Sequence, residues 1–144
     1  MDHQHVTPAI TPEITLRQVS LRVTAIRVGL LHALRRAKEP HSAAKLLQTG
    51  KLGQANETTI YRALETMTEA GIVRKLELGR GHALYELAGG MHHHHFSCER
   101  CHTITAVDIP TERSLLKTIS SKYKVSIRDH AIELFGLCAK CRTA

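Results

Sequence analysis

The cysteines of this chain fall into two pairs, Cys98/Cys101 and Cys138/Cys141, each with two residues between its members. This spacing lets both sulfur atoms of a pair turn toward one point, and two such turns supply the four thiolates that a structural zinc ion prefers. The sequence therefore predicts a closed zinc site. Two alternatives stay open: a pair of disulfides, which a reducing compartment disfavours, and haem attachment at Cys98-Glu-Arg-Cys101-His102.

A run of histidines, residues 92–95, leads into the first cysteine pair. Successive side chains of a strand point to opposite faces, so His92 and His94 would face one way and His93 and His95 the other. Neutral imidazole is a ligand for zinc, iron, nickel or copper. The run therefore predicts ligands for two metal sites. Further residues of ligand type are His41, His82, Glu86, Asp108, Glu112 and His130.

The first half of the chain must supply a scaffold for these ligands, and its pattern is mainly helical. Helices are predicted over residues 16–37, 43–48 and 55–70. Ser42 and Asn56 are good caps for the second and third helix. Two short strands, residues 72–78 and 82–87, follow around Gly79-Arg80-Gly81 and are typical of a hairpin.

Three helices followed by a hairpin is the order of a winged helix, in which the third helix lies in the major groove of DNA. Hydroxyl and guanidinium groups at the start of that helix can reach phosphates and base edges. The formal net charge of +7 suits a polyanionic partner such as DNA. A helical bundle without a nucleic-acid role stays open. The candidate DNA-binding residues are Thr58, Thr59, Tyr61, Arg62, Arg27 and Arg80.

Gly89-Gly90 separates the two halves. We therefore predict a winged-helix DNA-binding domain over residues 1–88 and a small α/β metal-binding dimerisation domain over residues 89–144, an α+β fold. In the second domain we expect a strand turning at Cys98/Cys101, a helix, and two further strands around Val125 and His130.

A domain of some fifty residues buries too little apolar surface to be stable alone, so a zinc ion and a partner subunit would both add to its stability. We therefore expect a homodimer. No apolar run approaches the roughly 18 residues of a membrane span. No signal peptide opens the sequence. The expected location is cytoplasmic, with no membrane partner.

Several segments together resemble the ferric uptake regulator family of bacterial metal-dependent repressors. The resemblance covers about residues 16–141, and the motifs occur in the family's order. The segments are Leu21-Arg-Val-Thr-Ala-Ile-Arg27, His41-Ser-Ala-Ala, Thr58-Thr-Ile-Tyr-Arg-Ala-Leu64, Glu69-Ala-Gly-Ile-Val73, Tyr85-Glu86, His92–His95-x-x-Cys-x-x-Cys101 and Gly136-Leu-Cys-x-x-Cys141.

The resemblance implies three kinds of metal site. The four cysteines would hold a structural Zn²⁺. A regulatory Zn²⁺ or Fe²⁺ would bind at the hinge between the domains, on Glu86, His93 and His95. A further site in the dimerisation domain would use His92, His94 and His130.

This chain departs from the family pattern at several positions. His102 stands where glycine is usual, Ala106 where an acid is common, and Pro40 where the family has a histidine. Either His41 or His82 would then replace the missing hinge ligand, or the site would have fewer ligands. In the further site Arg113 occupies the usual acid position, and the neighbouring Glu112 would supply the carboxylate.

The resemblance thus implies a metal-responsive repressor that binds a double-stranded operator and controls genes of metal uptake or homeostasis, with Zn(II) or Fe(II) as effector. A peroxide-sensing iron-dependent repressor of the same family is the alternative, followed by a metal-storage or zinc-handling module. An enzyme is not expected, because no H-E-x-x-H or comparable catalytic signature occurs.

Overall fold

The computed structural model describes residues 10–77, 81–89, 94–128 and 130–144. Arg80, His92 and His93 lie outside these residues. The chain divides into two compact units, Met1–Gly89 (unit 1) and Gly90–Ala144 (unit 2). The α+β fold class predicted from the sequence is confirmed, and no helix in the described ranges is long and apolar enough to cross a membrane.

Unit 1 contains helices and a two-stranded sheet. Its elements are α1 (Pro12–Gln18), α2 (Ala25–Arg36), α3 (Ala43–Thr49), α4 (Glu57–Glu69), β1 (Val73–Leu76) and β2 (Leu84–Leu87). Side chains cap α3 and α4 at the predicted places: the Ser42 hydroxyl accepts the Lys45 N–H at 3.1 Å, and the Asn56 carbonyl accepts the Thr59 N–H at 2.9 Å. These bonds satisfy N–H groups that the first turn of a helix leaves open.

The single long helix predicted over residues 16–37 is wrong. The chain leaves α1 after Gln18 and passes through Ser20, whose φ of 58° is incompatible with a continuing right-handed helix. Thr24 then caps a new helix by accepting the Arg27 N–H at 3.3 Å. Apolar residues keep a helical spacing across this break, so the sequence pattern does not reveal it.

The core of unit 1 is aliphatic and fixes α4 against the other helices. Leu30 and Leu34 of α2 pack with Ile60, Leu64 and Met67 of α4, all buried. Each such side chain contributes about 1.5–3 kcal/mol of burial free energy. The opposite face of α4 is thereby held at the surface.

The β-ribbon of unit 1 is antiparallel, with Arg74 opposite Glu86 and Lys75 opposite Tyr85. His41 adds an isolated bridge: its N–H donates to the Tyr85 carbonyl at 3.0 Å, and its carbonyl accepts the Tyr85 N–H at 2.8 Å. The segment before α3 is thus tied to β2.

Unit 2 is a three-stranded sheet with strand order β4-β3-β5, in which β3 is antiparallel to β4 and parallel to β5. Its elements are β3 (His94–Cys98), β4 (Ile104–Val107), α5 (Glu112–Tyr123), β5 (Glu133–Gly136) and α6 (Ala139–Arg142). The sequence did not predict α6, a single helical turn that contains Cys141.

The strand expected around Val125 is not formed, and β5 begins only at Glu133. Lys124 ends α5 in the left-handed conformation, with φ of 54°. The Ser120 hydroxyl then donates to the Val125 carbonyl. This contact engages a backbone group that a strand would need for its ladder.

Unit 2 has an unusual interior. The buried side chains in its described part are those of His94, His95, Ser97, Cys98 and Cys141, and α5 has no buried residue. Imidazole and sulfur therefore occupy the places that aliphatic side chains fill in unit 1.

His102 adopts φ of 61°, in the left-handed region that favours glycine. We predict that His102→Gly raises the free energy of unfolding by about 0.5–1 kcal/mol, because it relieves this backbone cost at an exposed position. Urea unfolding of the zinc-loaded protein measures the change. His102→Ala is the control: equal stabilisation by alanine would show that the imidazole, and not the backbone, is responsible.

Candidate metal centres and nucleic-acid interface

The four cysteine sulfur atoms form one cluster, with all pairs within 4.8 Å. Cys98 ends β3, and its carbonyl accepts the His102 N–H at 3.0 Å, which closes the first turn. Cys138 and Cys141 lie at the start and in the body of α6. The Arg100 guanidinium donates to the Cys141 carbonyl at 2.8 Å and so joins the two turns.

The thiols of this cluster differ in their affinity for protons. Backbone N–H groups of Cys101 and Cys138 lower the pKa of Cys98 to about 5. The Thr103 hydroxyl and backbone N–H lower the pKa of Cys101. Hydrogen bonds to the sulfur atom of Cys138, together with burial, raise the pKa of Cys141 to about 12.

The arrangement of these four thiols fits zinc coordination better than it fits disulfide bonds. The Cys101 and Cys138 sulfur atoms lie 3.6 Å apart, well beyond the roughly 2.05 Å of a covalent bond, and all four cysteines are free thiols. Four sulfur donors around one point form the closed tetrahedral set of a structural zinc ion. Backbone N–H groups directed at the sulfur of Cys98 stabilise the thiolate that such an ion requires.

A second cluster joins His94, Glu112 and His130, whose ligating atoms also lie within 4.8 Å of one another. His94 Nε2 is 3.2 Å from Glu112 Oε2, and His130 Nε2 contacts Glu112 Oε1. The Ile132 N–H donates to His94 Nδ1 at 3.2 Å. Two imidazoles and one carboxylate are a donor set that fits Zn(II) or Fe(II).

This second cluster is assembled from a strand, a helix and a loop. His94 lies on the central strand β3, Glu112 is the first residue of α5, and His130 precedes β5. The carboxylate is that of Glu112, as expected from the position next to Arg113. His92, the remaining residue predicted for this site, lies outside the described residues.

The residues predicted for the hinge site are distributed over both units. Glu86 lies on β2 with 3.9 Å between its carboxylate and the Arg74 guanidinium, and His41 is the residue bridged to Tyr85. His82 is exposed, and His95 is buried on β3. Across the ranges that the structure describes, neither metal-ligand cluster includes any of these four predicted ligands. His93 lies outside those ranges.

The candidate nucleic-acid surface is a groove of about 270 Å³ between α2 and α4. Arg27 and Arg62 both line it, and the Arg27 guanidinium is held by donating to the Arg22 carbonyl at 2.8 Å. Thr59 donates its hydroxyl to the Asn56 cap at 2.9 Å and retains lone pairs. The lining residues are Thr24, Ile26, Arg27, Thr59, Arg62, Ala63 and Thr66.

Two other predicted DNA-binding residues, Thr58 and Tyr61, do not line this groove. Thr58 is exposed in the first turn of α4 and does not line the groove. Tyr61 is half-buried and packs against the core of unit 1. Sequence reasoning missed the groove residues Thr24 and Thr66. Thr24 has a recognisable signal, because it is the N-cap three residues before Arg27.

A family model and known protein sequences both match this chain. The model of the ferric uptake regulator family matches residues 18–135. The ferric uptake regulation protein of Neisseria gonorrhoeae is 33% identical over 133 residues, covering 88% of this chain and 90% of that protein.

Solved structures of metal-uptake regulators also match the fold of this chain. The structure of a ferric uptake regulator from Francisella tularensis with iron has a TM-score of 0.73 and 28% identity, covering 85% of this chain and 96% of that one. A zinc uptake regulator complexed with zinc and DNA has a TM-score of 0.63 and 28% identity, covering 91% and 90%.

Proposed function

This chain belongs to the ferric uptake regulator family of metal-responsive transcriptional regulators, and we propose that it is a metal-dependent repressor of genes for metal uptake or homeostasis. The cluster of His94, Glu112 and His130 carries the proposal. Its donor set suits a divalent cation, and its members lie on β3, at the start of α5 and in the loop before β5. We assign no enzymatic activity to the chain, because the family consists of regulators.

DNA binding is assigned to residues 1–88. Arg27 and Arg62 line the groove from two helices, and guanidinium groups are well suited to bind phosphate. Thr58, in the first turn of α4, and Tyr61, in the next turn, are assigned to the base edges. The zinc uptake regulator that binds DNA supports this assignment through its similar fold.

Dimerisation is assigned to residues 89–144. Leu134 and Phe135 are 43% and 49% exposed, although consecutive strand residues point to opposite faces. Strand β5 is an edge strand that pairs with β3 alone in the described part of its sheet. An apolar edge strand is an expected site for pairing with another chain. Leu115 and Tyr123 of α5 add exposed apolar surface.

The metal response follows from where the ligands lie. Glu112 begins α5 and His130 precedes β5, so the same cluster fixes both elements that carry the exposed apolar residues. A bound Zn²⁺ or Fe²⁺ supplies a Lewis acid that holds these side chains at fixed distances. Coupling between two binding sites is typically about 1–3 kcal/mol, which is roughly 5- to 150-fold in affinity.

A regulatory metal on Glu86, His93 and His95 is part of the proposal and rests on the sequence resemblance. Carboxylate and imidazole ligands suit Zn(II) and Fe(II) alike. The proteins named with iron and with zinc support both as effectors.

Fluorescence anisotropy of a labelled duplex from upstream of this gene tests the repressor. Protein with zinc only on its cysteines is compared with protein given Zn(II) or anaerobic Fe(II), at fixed salt. We expect one metal to tighten binding by roughly 5- to 150-fold. Equal affinity in all three states would contradict metal control.

Arg62→Ala should weaken DNA binding by about tenfold or more and reduce its salt dependence, because it removes a phosphate or base contact. The same anisotropy assay measures both effects. Arg36→Ala is the matched control, since Arg36 lies in the last turn of α2 and does not line the groove. Equal losses in the two variants would leave only a general charge effect and exclude a specific interface.

Phe135→Lys should raise the dimer dissociation constant by at least about tenfold, because it places a charge in the apolar edge. Sedimentation velocity at several concentrations measures the change. Ala106→Lys, on the opposite edge strand β4, is the control. Dissociation by Ala106→Lys with no effect of Phe135→Lys would place the interface on the other edge.

A further inference from the structure

Arg100 lies between the two cysteines of the first pair and contacts the backbone of the second pair. Its guanidinium donates to the Cys141 carbonyl at 2.8 Å, although 41 positions of the chain separate the two residues. We propose that Arg100 is a positioning residue of the cysteine site: it holds the two cysteine pairs together and so slows the release of the structural metal ion. This inference rests on the proposed binding of zinc by the four cysteines.

The second cysteine pair lies on an element that has little stability of its own. Helix α6 is a single turn of four residues, closed by the Arg142 N–H donating to the Cys138 carbonyl at 2.9 Å. One helical turn fixes several backbone dihedrals for few hydrogen bonds, so it is marginal without outside contacts. The last carbonyls of a helix have no partner within it, and basic side chains can satisfy them. Arg100 does this for Cys141 from a different segment of the chain.

Two backbone contacts also join the cysteine pairs, but they end at or before Cys138. The Glu99 N–H donates to the Gly136 carbonyl at 2.8 Å. The Cys138 N–H donates to the Cys98 sulfur atom at 3.4 Å. The guanidinium of Arg100 reaches further, to the residue that carries the last of the four sulfur atoms. Its loss would therefore leave the far end of α6 without this hydrogen bond to the first pair.

A contact of this kind acts on the rate at which a metal ion leaves the protein. The ligands of a four-thiolate site detach one after another, and a detached thiolate that stays close rebinds before the next one leaves. Arg100 keeps the second pair beside the first during this interval, so it favours rebinding. Slow release retains the structural ion on the cysteines when free metal becomes scarce, which is the condition to which the proposed repressor responds.

Arg142 provides a matched control for the charge of Arg100. It follows Cys141 directly, is exposed, and carries the same positive charge. Its contact within α6 is made by its backbone N–H, which a side-chain substitution retains. Arg142→Gln therefore removes an equal charge beside the same cysteine and leaves the Arg100 hydrogen bond in place.

The test measures release of Co(II) from the cysteines of the full-length protein. The protein is loaded anaerobically with one equivalent of Co(II), whose thiolate charge-transfer absorbance reports metal bound to sulfur. Decay of this absorbance after addition of excess EDTA gives the release rate. Arg100→Gln should release Co(II) about tenfold faster than the wild-type protein, which corresponds to about 1.4 kcal/mol. Arg142→Gln should stay within twofold of the wild-type rate.

The spectrum recorded before EDTA is added is the second measurement. It should be the same in all three proteins, because Arg100 is not a ligand and its substitution leaves the four sulfur donors in place. The same order of release rates is expected for Zn(II), followed with a chromophoric chelator. Arg100 is exposed, so Arg100→Gln is expected to fold, and circular dichroism spectra that match the wild-type protein check this.

Release from Arg100→Gln at the wild-type rate, or equally fast release from Arg142→Gln, would overturn the inference. The wild-type spectrum separates this failure from failure of the zinc assignment. If thiolate bands are present and Arg100→Gln releases Co(II) normally, only the role of Arg100 is wrong. If the wild-type protein shows no thiolate bands, the cysteines do not hold the metal and the inference falls with that assignment.

Discussion

Attraction between ligating side chains and metal is expected to hold unit 2 together, because its described part has little apolar interior. The buried side chains there are two imidazoles, one hydroxyl and two thiols. A structural zinc site contributes about 10–16 kcal/mol in small domains, whereas one buried leucine contributes about 1.5–3 kcal/mol. We therefore expect metal binding and folding to be closely linked in this half of the chain.

Unit 1 is built in the opposite way. Leu30, Leu34, Ile60 and Leu64 fill its interior and hold α4 with its polar face outward. This helix needs no metal to form, since its cap and its core contacts are complete within the unit. In the proposed function, DNA recognition belongs to this unit with an aliphatic core, while the cluster of His94, Glu112 and His130 lies in the unit that is rich in ligands.

Local signals in the sequence predicted much of this arrangement. Ser42 and Asn56 cap their helices, and the two-residue spacing brings the sulfur atoms within each cysteine pair together, because both effects act over a few residues. The helix break at Ser20 was missed because apolar periodicity continues through it. The strand expected at Val125 was lost to a contact with Ser120, which no periodicity reveals. Strand alternation placed His94 apart from its neighbours, but only the fold brings Glu112 and His130 to it.

Hydrogen–deuterium exchange with and without zinc tests most directly whether ligands hold unit 2 together. The amides of β3 and β5 in zinc-loaded protein should lose protection by at least about a hundredfold when a chelator removes the metal. Amides in α2 and α4 should keep theirs, because leucine and isoleucine side chains hold that unit. Undiminished protection of β3 and β5 in metal-free protein would contradict the account, since unit 2 would then be stable without its metal.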